Sequence, residues 1–120
     1  MILNCHCEDR RRATGAVYGT NVMVPEDQLE IRGEVSMFSY KAKSGNTMTK
    51  RFCKTCGTLM FENSSGRTNV VSIRAGTVDQ TDIINPVMNV FVDSKISSTP
   101  INSYLPQASE MPQGEPWKKD

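Results

Sequence analysis

A chain of 120 residues supplies one domain's worth of core, and 38% hydrophobic with 22% charged residues is ordinary globular usage, which excludes wholesale disorder. Fourteen basic against 13 acidic side chains leave a net charge of +1, so no global field holds a polyanion or a membrane surface, and neither nucleic acid nor membrane is an expected partner. Only Ile2 and Leu3 are apolar between Met1 and Asn4, too few for a signal-peptide core or a membrane span, and the expected location is cytoplasmic.

Residues 4–15 are polar and carry Cys5, Cys7 and the basic run Arg10-Arg11-Arg12; they read as a loop with one helical turn, ending at Gly15. Ala16 to Val24 alternates as a strand does and stops at Pro25. Pro25-Glu26-Asp27 reads as a turn and Leu29-Glu30-Ile31 as a short strand before Gly33. Met37–Tyr40 and Thr47–Phe52 flank Lys43-Ser44-Gly45-Asn46, a hairpin signal. Thr58–Phe61 and Val70–Arg74 bracket a second turn, Asn63-Ser64-Ser65-Gly66, and Val87–Val92 is the last strand. Val78–Ile84 allows a turn or two of helix at most. These elements predict a mainly β domain over residues 1–95, with 96–120 as an extended tail packed on it.

Cys53-Lys54-Thr55-Cys56-Gly57 has the form of a zinc knuckle. Two intervening residues let one tight turn aim both sulfurs at one ion, and a following glycine accepts the positive φ that turns backbone N–H groups toward them. A redox pair of the same spacing opens a helix in a βαβ context, which is absent here; unliganded thiols are the remaining alternative. In Cys5-His6-Cys7 both thiols can face one ion while His6, the only histidine, points away as a spacer; ligation by His6 is the alternative. By spacing alone, Cys5, Cys7, Cys53 and Cys56 could form one closed Cys₄ zinc site.

The segments Asn4-Cys5-His6-Cys7-Glu8-Asp9 and Arg11-Arg12-Ala13-Thr14-Gly15-Ala16 resemble the Cys-x-Cys-x-x-Cys-Arg-x-x-x-Gly segment of the glutathione-dependent formaldehyde-activating enzyme family, which includes centromere protein V. Arg51-Phe52-Cys53, Cys56-Gly57-Thr58-Leu59-Met60-Phe61, Ile73–Thr77 and Asn89–Lys95 resemble its later segments. The resemblance implies a β-tent, the folded antiparallel sheets shared with methionine sulfoxide reductase B, here N-terminally truncated relative to the family. It implies zinc, with Cys5 and Cys7 at a catalytic ion and Cys53 and Cys56 at a structural one, glutathione or a related thiol as partner, and carbon–sulfur lyase chemistry on S-hydroxymethylglutathione-type adducts. Cys5 and Cys7 are then the catalytic residues.

Arg10 stands where the family pattern has a third catalytic cysteine, and a guanidinium cannot ligate a cation. The alternative is therefore a catalytically inactive member acting as a structural or interaction domain, and third a chromatin-associated domain. The basic run Arg10–Arg12 could attract glutathione carboxylates, although Arg12, Glu8 and Asp9 taken alone are solvated surface groups. Trp117 in the polar tail has no catalytic role. Unpaired sheet edges predict a homodimer through strand addition.

Overall fold

Two tight turns organise the middle of the chain. In the computed structural model, which describes residues 1–111, Ala42 and Asn46 close the first turn through an N–H···O bond of 2.9 Å. Gly45 within it adopts φ +88°, a region that side-chain-bearing residues avoid. The second turn joins its strands at Ser65-Gly66. Together they build the meander of β3 (Val35–Lys41), β4 (Thr47–Cys53), β5 (Leu59–Ser64) and β6 (Arg67–Arg74).

The remaining strands are β1 (Ile2–Cys5), β2 (Gly19–Pro25) and β7 (Met88–Val90). All seven form one sheet in the order β3-β4-β5-β6-β2-β1-β7. Every pairing is antiparallel except β1 with β7, which run parallel with Cys5 opposite Val90. Residues 106–108 lace the outer side of β7: Asn89 N–H donates to Pro106 O and Ala108 N–H to Asn89 O, each at 2.9 Å. Trp117 lies outside the described residues. Among those residues no helix is long and apolar enough to cross a membrane.

The structure corrects four local expectations. Leu29-Glu30-Ile31 is not a strand, since the chain beyond the 3-10 turn Glu26–Gln28 runs irregularly to Gly33. The strand expected from Ala16 begins only at Gly19. The strand expected over Val87–Val92 shortens to Met88–Val90, because Phe91 takes a left-handed φ of +56° and starts a 3-10 turn. Residues 4–15 hold more than a loop with one helical turn: Asn4 and Cys5 end β1, and the helical part runs over Glu8–Thr14 as α1. Seven residues are marginal for a helix in isolation, so its ends matter. Cys7 Sγ accepts the Arg10 N–H at 3.4 Å at one end, and Gly15, at φ +74°, donates to Arg11 O at the other. Glu8 and Arg12 pair one turn apart at 2.8 Å.

One face of the sheet carries the core. Leu3, Cys5, Met23, Val70 and Val90 form a buried cluster, with Met1, Met88, Phe91, Ala108 and Met111 packed around it. Strand alternation sets Asn21, Ser72, Arg74 and Glu62 on this same face, and all four are buried. The interior is therefore apolar at β1 and β7 and polar toward β5. Helix α1 covers the junction.

Candidate functional site

At that junction lies a cavity of about 250 Å³, and Cys5, Cys7, Arg10, Tyr40, Glu62 and Arg67 are among its walls. Cys5 comes from the end of β1 and Cys7 from the N-cap of α1, with the sulfurs 3.4 Å apart. His6 between them points away, as alternation in an extended chain requires. It is fully buried, its ring 4.9 Å from that of Tyr18, with Nε2 3.3 Å from Asn89 Oδ1. Burial holds the ring below the ordinary histidine pKa. His6 acts as a structural spacer and not as part of the cavity.

Arg10 is the residue whose setting departs most from a solvated charge run. Its side chain is only 9% exposed, and Nη1 forms a close ion pair with Glu62 Oε1 at 2.8 Å. The other carboxylate oxygen of Glu62 accepts from Arg74 Nη2 at 3.0 Å, and Arg74 Nη1 donates to Asn21 Oδ1. One buried carboxylate thus lies between two buried guanidiniums, a net positive cluster against which the cysteine pair rests. The hydrogen bond between the two sulfurs holds Cys5 below the ordinary thiol range; burial opposes this and Arg10 assists it. The same contact pushes Cys7 up, and burial pushes it further. The two thiols are hydrogen-bonded to each other and titrate as one unit beside Arg10. Burial first, and then the Glu62 carboxylate, raises Tyr40 to about 12, keeping it a neutral donor. Burial and the nearby Arg10 lower Arg67. By contrast, Arg12 and Glu8 are surface groups paired with each other, with Lys43 also on Glu8 at 3.1 Å.

Cys53 and Cys56 sit elsewhere, on the turn between β4 and β5. Gly57, at φ +77°, donates to Cys53 O, and Cys53 N–H donates to Thr58 O, both at 2.9 Å, so the knuckle-type turn is formed. Cys56 is exposed, and the Thr58 hydroxyl, 3.0 Å away, holds its thiol below the ordinary range. Four strand steps separate β4 from β1, about 19 Å along the sheet at the usual strand spacing.

Cys53 and Cys56 do not line the cavity that Cys5 and Cys7 line. Zinc–sulfur bonds are about 2.3 Å long, so all four thiols cannot meet at one ion in this arrangement. Among the described residues no group of three or more His, Cys, Asp or Glu side chains is placed to hold a metal. At Cys5–Cys7 the third position is filled by a permanently charged guanidinium, and the donor set does not fit a three-thiolate zinc.

The cysteines and Arg10 stood out in the sequence, whereas Glu62, Arg74, Asn21, Arg67 and Tyr40 did not. A signal existed for one of them: Arg74 is in phase with Val70 and Ser72 along β6, so its side chain is directed at the covered face.

Among curated proteins, none matches the chain significantly. The family model described as glutathione-dependent formaldehyde-activating enzyme matches residues 1–94, which include both cysteine segments and all seven strands. The chain belongs to the glutathione-dependent formaldehyde-activating enzyme family.

Proposed function

We propose that the cavity over Cys5 and Cys7 receives glutathione-type thiols and their aldehyde adducts, and that the chain acts on them as a carbon–sulfur lyase. The β-tent, inferred from resemblance, belongs to the same proposal. The observation that carries it is the buried guanidinium of Arg10 beside a hydrogen-bonded cysteine pair. In an adduct R–S–CH₂–OH, a base must take the hydroxyl proton while the carbon–sulfur bond breaks. Cys5 Sγ is the base, and formaldehyde leaves. The bond's electron pair goes to the departing sulfur, whose charge Arg10 offsets in a site of low dielectric. The reverse sequence adds the thiol to the aldehyde. No step passes through zinc, the family's usual metal, because each cysteine pair offers only two sulfurs.

A second function is favoured by the 2.8 Å pairing of Arg10 with Glu62, which already commits much of its charge. The chain is then a binding module that holds the adduct without turning it over. Exchange spectroscopy on isotopically labelled formaldehyde with glutathione separates the two, using chelator-treated protein. A lyase accelerates exchange over the spontaneous rate by about 10²-fold or more, the usual range for a positioned acid–base group. Cys5→Ser and Arg10→Met abolish that acceleration. Binding without acceleration supports the module, and acceleration only after zinc loading overturns the metal-free mechanism.

A further inference from the structure

We propose that Cys5 and Cys7 also form an exchange-active dithiol, reducing small disulfides of amino-acid type and closing to an intramolecular disulfide. This activity is separate from lyase chemistry and does not depend on it. Three observations on the cavity carry the proposal.

The first is distance. The sulfurs are 3.4 Å apart and both cysteines are free, so closure to a bond of about 2.05 Å needs a shift of little more than 1 Å. Cys7 lies outside the helix, in extended backbone at φ −67° and ψ 154°, and closure gives up only a 3.4 Å contact between its sulfur and the Arg10 N–H.

The second is access. Cys7 is half-buried on the cavity wall while Cys5 is 5% exposed, so an entering disulfide meets Cys7 first. Cys5 waits directly behind it. The buried member is thus placed as the resolving sulfur.

The third is the wall. Glu8, Asp9 and Glu62 face Arg10, Lys43 and Arg67 around the cavity, a balanced set of charges. Such a wall matches a ligand bearing both ammonium and carboxylate groups better than a simple anion. The space, about 250 Å³, suits one half of a small disulfide, with the other half at the mouth.

The step balances without a further reagent. With one thiol of the pair ionised, Cys7 passes its proton to Cys5 and attacks one sulfur of R–S–S–R, forming Cys7–S–S–R while the old S–S bond breaks and its electron pair leaves on the first RS⁻. Cys5 sulfur then attacks Cys7 Sγ and gives that proton to the departing sulfur, forming the Cys5–Cys7 bond and releasing the second half as RSH. Two electrons pass from the cysteine pair to the small disulfide.

The test uses the full chain with oxidised glutathione and, separately, with neutral 2-hydroxyethyl disulfide, followed by peptide mapping under acid quench. Wild-type protein is expected to yield a Cys5–Cys7 disulfide with no lasting adduct, reacting faster with oxidised glutathione than with the neutral probe. Cys5→Ser is expected to trap a stable mixed disulfide on Cys7. A lasting adduct on wild-type Cys7, closure onto Cys53 or Cys56, an equal rate in urea-unfolded chain, or no reaction would each overturn the proposal. If the variant does not fold, the wild-type product distribution, read alone, still decides it.

Discussion

Replacing Glu62 by Ala removes the carboxylate shared by Arg10 and Arg74 and leaves two guanidiniums, 9% and 7% exposed, facing each other across the vacated space. An exposed pair is worth about 1 kcal/mol at most, whereas stripping one partner from a buried pair costs about 3–5 kcal/mol. Native stability is typically about 5–15 kcal/mol, so the loss is a large share of the total. For a domain of this size it lowers Tm by roughly 10–20 °C. Urea unfolding at neutral pH, followed by far-UV circular dichroism, gives the free energy directly. On an Arg10→Met background the same Glu62→Ala change should cost less by about 1–3 kcal/mol, since only one cation is then stranded. A loss below about 1 kcal/mol in the single variant would show that water reaches the cluster and that Arg10 is not held as described.

Three further outcomes are expected. His6 is buried and neutral with its pKa below the unfolded value, so the unfolded chain binds the extra proton first; stability present above about pH 6.5 is lost as pH falls toward the folded pKa. Urea midpoints of His6→Gln should show a shallower decline than wild type between about pH 7.5 and about pH 5, measured in parallel. Arg10→Cys gives the cavity a third sulfur, so competition with a chromophoric chelator should show zinc held far more tightly than by wild type, with a thiolate-to-metal band on cobalt substitution. Gly57→Ala meets no atom within 4 Å but must keep φ +77°, so its cost is that of the backbone alone, about 1–2 kcal/mol by thermal unfolding.

Features written in adjacent residues were legible in the sequence. Lys43-Ser44-Gly45-Asn46 announced its hairpin because a glycine at positive φ and polar neighbours leave the chain few other options. The Cys53–Gly57 turn was legible for the same reason. Leu29-Glu30-Ile31 misled because two apolar residues in alternation suit a strand only when a neighbouring strand is there to pair, and here none is. Ile2 and Leu3 gave too short a run to reveal β1, whose pairing comes from β2 and β7. In the site, Cys5 and Cys7 were visible as a motif, yet the meaning of Arg10 depended on Glu62, 52 residues onward, and on Arg74, 12 further. No local pattern encodes that meeting; the sheet register does.

The parallel pairing of β1 with β7 also has a consequence in time. Cys5 must wait for Val90, roughly 85 residues later, which at ribosomal speeds is about 4–17 s of synthesis. Through that interval β1 has one open edge, and the pair of thiols it carries lacks the floor that Val90 and Phe91 later provide. The residues that make the site are thus born first and sheltered last. During that window a nascent chain exposes these two sulfurs to the surrounding oxidants, before the fold can choose their partner.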